Sequence, residues 1–318
     1  ALIQESVEFK RLGLAVIDEQ HRFGVMQRAR IFSKGENPHI LLMTATPIPR
    51  SLAMTLYGDL DVSIIRGMPP GRTPVETRLY FDNRRDDMYK FVAGEISAGR
   101  RAYVVYPLVE ESEKLDLKDA QSGVEKIRKV FPHARVDLVH GRMKSEEKDA
   151  AMRRFKSGAT NILVATTVIE VGVDIPNATV MVVEHAERFG LSQLHQLRGR
   201  VGRGSEKSYC LLMADYKRSA ESRERLEALV RTTDGFEISE IDLRIRGAGD
   251  FFGTRQSGLP DLRIADLTTD TEILSQAREA ASRLLREDPY LSHEHHGPIR
   301  DYFERFFVEG GMQLARVG

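Results

Sequence analysis

A single cysteine, Cys210, stands in 318 residues, so no disulfide can close within the chain, and a reducing compartment is expected. No stretch reaches the roughly 18 uninterrupted apolar residues that a spanning helix needs. The longest apolar runs, such as Ile40–Met43 and Val180–Val183, suit strands instead, and the start carries no secretory signal. Net charge is missing too: 47 lysines and arginines balance 47 aspartates and glutamates. That balance excludes a uniformly basic protein that coats nucleic acid; any anionic partner must be met by local basic clusters. Low-complexity segments and repeats of fixed period are absent as well.

What is present is a foldable chain. Hydrophobic residues make up 41% and charged residues 30%, which excludes disorder as a class. At roughly 100–200 residues per domain the length favours two domains with an appendage. The chain opens on Ala1 within a helix-like or loop-like run, so a piece of a longer protein is expected.

Two blocks alternate strand and helix patterns, the signature of parallel sheets covered by helices. In the first, Leu14–Asp18 and Ile40–Ala45 read as buried strands, Arg50–Tyr57 as a helix and Val62–Ile65 as a strand. The breaker cluster Gly67-Met68-Pro69-Pro70-Gly71 reads as a linker. In the second, strands are expected at Val75–Phe81, Ala102–Tyr106, Val136–His140, Asn161–Ala165, Thr179–Glu184 and Tyr209–Ala214. Helices are expected at Arg84–Ala98, Gln121–Val130, Ser145–Ser157 and Leu191–Gly199, with Ser145 as a helix cap. After Asp215 the composition shifts to charged helices at Tyr216–Thr232 and Ile238–Ile245. An irregular glycine-rich stretch over Arg246–Gly258 and a further helix over Asp270–Arg286 follow.

Four constellations carry chemistry. Asp18-Glu19-Gln20-His21 follows a hydrophobic strand, where one carboxylate can hold Mg²⁺ through water and a second can orient an attacking water. Thr44-Ala45-Thr46-Pro47 also follows a strand; its hydroxyls could relay a carboxylate's movement, although alone such a run is a turn. Thr166-Thr167 through Gly172-Val173-Asp174 offers hydroxyls and amides for phosphate oxygens and a carboxylate for a ribose hydroxyl. In Gln196-Leu197-Arg198-Gly199-Arg200-Val201-Gly202-Arg203, the arginines three apart share one helical face or turn. Their guanidinium groups could converge on a transferring phosphoryl group.

In this order and spacing these segments resemble motifs II, III, V and VI of the superfamily 2 helicases and translocases. The resemblance implies RecA-like P-loop NTPase domains, α/β in class, with parallel sheets and flanking helices, and a C-terminal helical hairpin. It implies ATP and Mg²⁺ as cofactors, with Asp18 and Glu19 at the metal and the attacking water and Gly172 and Asp174 at the nucleotide. Arg200 and Arg203 would meet the γ-phosphate, and His21, Thr44, Thr46 and Gln196 would couple cleft closure to hydrolysis. Thr166, Thr167 and Arg142 would touch DNA.

Beyond the second motor block, Asp242 to Gly258 resembles the translocation motif shared by RecG-type branched-DNA helicases and the transcription-repair coupling translocase. Its glycines do not follow a strand, so it is no dinucleotide fingerprint. Thr254-Arg255-Gln256 and the run Asp18 to Val25 resemble the RecG side more closely. Arg244, Thr254, Arg255 and Gln256 are the expected contacts to duplex DNA. No Gly-x-x-x-x-Gly-Lys-Ser/Thr phosphate loop occurs in the 318 residues, and no wedge domain is recognisable.

The expected division is therefore the rear of a first motor domain over residues 1–70, a whole second one over 71–215, and a hairpin and translocation region over 216–318. The resemblance implies a DNA helicase or translocase that remodels stalled forks and Holliday junctions, with this piece inactive alone. Expected partners are branched and double-stranded DNA, with single-stranded-DNA-binding protein a candidate. A bacterial cytoplasmic, nucleoid-associated monomer without membrane contact is expected. Two alternatives stay open: a transcription-repair coupling translocase, and a non-catalytic duplex-binding module. Arginines at 198–203 and 244–263 are the clusters where phosphates are expected to sit. His293-Glu294-His295-His296 reads as a solvated turn before a metal site. Tyr302, Phe303, Phe306 and Phe307 read as a packing stripe.

Overall fold

The structure, a computed structural model, describes residues 4, 7–19, 34–35, 38–45, 61–65, 67, 71–107, 113–166, 175–251 and 270–305. It divides into two compact units, Ile65–Ile245 and the pair of segments Ala1–Ile64 with Arg246–Gly318.

In the Ile65–Ile245 unit, strands alternate with helices: β3 (Glu76–Phe81), α1 (Arg85–Ser97), β4 (Arg101–Tyr106), α2 (Glu113–Val130), β5 (Val136–Val139), α3 (Ser145–Ser157), β6 (Ile162–Thr166), β7 (Ala178–Val183), α4 (Leu191–Arg198), β8 (Tyr209–Ala214) and α5 (Ala220–Arg231), followed by α6 (Gly235–Phe251). The six strands form one sheet in the order β3-β8-β7-β4-β6-β5, every pairing parallel. Parallel strands need both faces covered, and these are apolar on both. Tyr103, Val105, Leu163, Ala165, Met181, Val183, Cys210 and Leu212 face one core with Phe155, Leu194, Leu226 and Leu229. Their neighbours Ala102, Val104, Ile162, Val164, Val180, Val182, Tyr209 and Leu211 face the other, with Met88, Val92, Val124 and Ile127. Alternation at period two thus builds both sides of the sheet from one set of strands.

Helices α5 and α6 join the first core through Leu226, Leu229, Ile238 and Ile241, although the composition changes after Asp215. Cys210 is fully buried in β8, where burial pushes its thiol up to about 12. Ser145 is not the cap of α3. Lys144 holds that position, and Glu147 closes the turn by accepting from the Lys144 amide at 3.1 Å, satisfying an orphan donor from the third helical position.

Gly202 adopts φ +75°, and a Cβ there would lie 2.8 Å from Val75 Cγ2. Gly202→Ala combines a left-handed penalty with a steric clash, so a loss of about 2 kcal/mol is expected. Thermal unfolding checks this; an unchanged midpoint would mean that the turn can relax.

In the other unit, β1 (Leu14–Ile17) pairs in parallel with β2 (His39–Leu42), Leu14 opposite His39. Leu14 and Val16 are 58% and 53% exposed. Residues 61–65 form no strand, contrary to the apolar pattern, and Ile65, which opens the larger unit, is 93% exposed. The stretch after Ile245 is not irregular from Arg246, because α6 continues to Phe251 through two glycines. Helices α7 (Thr271–Glu287) and α8 (Gly297–Phe303) lie further on. Between them the buried Asp288 accepts from the Ser292 and His293 amides at 2.8 and 2.9 Å and contacts His296 Nδ1 at 2.8 Å. Burial opposes ionisation there, but these bonds and His293 nearby hold the carboxyl well below its usual range. His296 is thus tied to a carboxylate. Among the described residues no group of three or more His, Cys, Asp or Glu is placed to hold a metal. Tyr302 and Phe303 are about half exposed; Phe306 and Phe307 lie outside the described residues.

Candidate nucleotide and nucleic-acid sites

Parallel strands deliver their following loops to one edge, so the residues just after β5, β6, β4 and β7 share the carboxyl edge of the sheet in that order. Val139 pairs with Ala165, which sets His140 beside Thr166. Thr166 is 2% exposed, and neither its Oγ1 nor His140 Nδ1 has a hydrogen-bond partner among the described residues. Burial first, then the cations Lys148 and Arg142, pushes the His140 imidazole below its ordinary value. A neutral ring and a hydroxyl, both unsatisfied at an edge flanked by Arg142, form a cradle that an oxygen-rich ligand would complete. Of the residues expected to touch DNA, Arg142 and Thr166 lie at this edge, while Thr167 lies outside the described residues, as do Gly172 and Asp174, expected at the nucleotide.

Helix α4 ends at Arg198, so Arg200 and Arg203 sit on the turn that follows it, both half-buried. Gln196 is on α4. Arg198 itself does not join a phosphate-binding cluster as its neighbours in sequence imply. It is 3% exposed, and its Nη1 donates to the carbonyls of Leu229 at 2.9 Å and Thr232 at 2.8 Å. Its Nη2 lies 3.0 Å from His195 Nδ1. A cation on the last carbonyls of α5 satisfies orphan acceptors and opposes the negative helix end. At the other end of α4, Ser192 Oγ donates to the buried Asp242 of α6 at 2.8 Å. Helix α4, which leads into the arginine-bearing turn, is therefore fixed to both α5 and α6. Sequence reasoning missed Arg198, His195, Ser192 and Asp242 in this role. An arginine run reads as surface, and only the apolar Leu194 and Leu197 around it hinted at burial.

Asp18 and Glu19 follow β1, at the carboxyl end of that strand. The Glu19 amide donates to Asp18 Oδ1 at 2.8 Å, and Glu19 takes φ +51°. Two adjacent hard-oxygen donors fit Mg²⁺, which binds through one or two carboxylates, water and substrate phosphates. Thr44 is described just beyond β2; Gln20, His21 and Thr46 lie outside the described residues. Arg244 of α6 is exposed and pairs with Glu224 of α5 at 2.7 Å. Thr254, Arg255 and Gln256 lie outside the described residues.

Residues 83–205 match the family described as helicase conserved C-terminal domain. Residues 232–298 match ATP-dependent DNA helicase RecG, domain 3, C-terminal. The ATP-dependent DNA helicase RecG of Synechocystis is 58% identical over 92% of this chain and 35% of its own length. That of Bacillus subtilis is 48% identical over 99% of this chain and 46% of its own length. Over the residues matched, the chain is similar to RecG helicases. A solved RecG bound to a three-way DNA junction superposes with a TM-score of 0.65 at 48% identity, over 86% of this chain and 35% of that one. The parallel sheet with helices on both faces is thus the RecA-like fold of superfamily 2 helicases. The chain spans between a third and a half of these RecG relatives. Among the described residues no helix is long and apolar enough to cross a membrane.

Proposed function

We propose that the full-length protein is an ATP-driven DNA translocase of RecG type that remodels branched DNA such as stalled forks and Holliday junctions. The observation that carries this reading is the fixing of α4, the helix leading into the Arg200–Arg203 turn, to α5 through Arg198 and to α6 through Ser192 and Asp242. That linkage would transmit a movement at the turn to the helices leading into the Arg246–Gly258 segment. Residues 1–70 would supply the rear of one motor domain, 71–215 a second, and 216–318 the DNA-moving region.

In this reading Asp18 would hold Mg²⁺, through water, and the ion would supply charge neutralisation at the phosphates. Glu19 orients the attacking water and takes its proton. Arg200 and Arg203 meet the charge that develops on the γ-phosphoryl oxygens, with Gly172 and Asp174 at the nucleotide. His21, Thr44, Thr46 and Gln196 link closure to hydrolysis. Arg142, Thr166, Thr167, Arg244, Thr254, Arg255 and Gln256 hold or drive DNA. The protein would work as a monomer in the bacterial cytoplasm at the nucleoid, with single-stranded-DNA-binding protein as a candidate partner.

Arg255→Ala in the full-length protein tests the division of labour. DNA-stimulated ATP hydrolysis should remain measurable while junction unwinding is lost. Equal loss of both would make Arg255 a structural residue and remove the translocation role from its segment.

A further inference from the structure

On the far side of β4 from Thr166, the carboxyl edge of the sheet holds a cleft of about 240 Å³ between α1, α2 and the loop after β7. Its wall is basic. Arg85, Lys126 and Arg188 bring three cations, and His185 stands at the same wall. Glu184 is its one carboxylate, and Arg85 already claims both oxygens at 2.7 and 2.9 Å. Glu184 is 2% exposed, so this pair is internal and fixes the guanidinium in place. Among the described residues Lys126 and Arg188 are exposed and pair with no carboxylate, which leaves two positive charges uncompensated at a concave surface. Tyr106 also lines the cleft. Its ring lies against α2, where any side chain on Gly123 would come within 2.5 Å of it, and burial together with Glu184 keeps its phenol protonated and able to donate.

We propose that this cleft seats a phosphodiester group of the DNA backbone, held by Lys126 and Arg188 with Arg85 and Tyr106 behind them. This rests on the reading of the full-length protein as a DNA translocase. The size agrees with a group and not a whole nucleotide, since sites for drug-sized ligands run from about 300 Å³ upward. Arginine with lysine suits phosphate oxygens, the arginine fork gripping two at once. Position agrees too. From β6 to β7 is two strand spacings, roughly 10 Å, which a backbone rising about 3.4 Å per nucleotide covers in about three nucleotides. A strand resting at Thr166 and Arg142 has the cleft within reach of its next few phosphates.

The test uses full-length protein carrying K126A together with R188A, two exposed positions whose loss should leave the unfolding midpoint unchanged. Binding of a fluorescent three-way junction and of two unrelated duplexes is titrated at several salt concentrations. The double variant should bind all three about tenfold more weakly near 0.1 M salt, with the slope of log K against log salt shallower by roughly two. Arg188→Lys with Lys126 intact should keep the slope. Wild-type affinity and slope in the double variant would overturn the cleft while leaving the translocase reading standing. Weaker binding with an unchanged slope, or loss on one duplex sequence only, would overturn it as well. A wild-type protein that binds none of these DNAs would instead sink the translocase reading itself. Capture of an acidic protein through the cleft, with DNA binding untouched, would assign the surface to another class of partner.

Discussion

Arg203→Ala in the full-length protein is expected to lower kcat for DNA-stimulated ATP hydrolysis by about 10³- to 10⁵-fold, the usual worth of an arginine that meets γ-phosphoryl charge. DNA binding should stay largely intact, because in the proposed role the lost partner would act where charge develops in the transition state. The structural warrant is the turn itself. Arg203 follows Gly202, whose φ of +75° only glycine adopts readily, and that turn abuts Val75 of the sheet unit. The side chain is thus delivered by rigid backbone. Arg203→Lys should not rescue, since an ammonium cannot reproduce a guanidinium's two-pronged grip. Steady-state hydrolysis with saturating DNA checks both variants. Near-wild-type turnover in Arg203→Ala would remove this arginine from the reaction.

Arg198→Ala is expected to cost about 3 kcal/mol, as two carbonyls lose their donor and a cavity opens, partly offset by no longer burying a charge. In a domain of this size that is a fall of roughly 6–12 °C in Tm. The same site makes stability depend on pH. Burial, and then the Arg198 cation, depress His195 from an ordinary 6.5 to about 4, and the neutral ring can accept from Arg198 at Nδ1. Asp234 nearby opposes this, weakly. The unfolded chain therefore binds a proton near pH 6.5 that the folded chain takes up only near 4. Stability should hold above pH 6.5 and decline as pH falls toward 4, by about 3 kcal/mol in full. His195→Gln keeps an acceptor without a titrating group and should flatten the decline across that window. An equal decline in His195→Gln would place the cause elsewhere.

The six strands of the sheet were legible because each is a short apolar run bounded by polar loops; observed and expected ends differ by a residue or so. Asp18 after β1, Thr166 at the end of β6, and Arg200 and Arg203 on the turn after α4 were legible as positions, while their chemical roles stay part of the proposal. Other features depend on partners remote in sequence. Arg85 and Glu184 are 99 positions apart, and nothing local marks either as half of a buried pair. Arg198 looks like its exposed neighbours until α5 supplies its carbonyls. Helix α6 runs through Gly247 and Gly249 despite a propensity cost of about 1 kcal/mol each, because Ile238, Ile241 and Asp242 are already anchored by packing and by Ser192. Residues 61–65 carry an apolar pattern but no strand, since a strand also needs a neighbour and none pairs with them among the described residues.

The most direct measurement is ATP hydrolysis by the full-length protein with and without a synthetic three-way junction, read together with unwinding of that junction. The RecG reading predicts hydrolysis that rises strongly with the junction, and strand separation that requires ATP. A full-length protein that hydrolyses no ATP in the presence of branched or duplex DNA would contradict it.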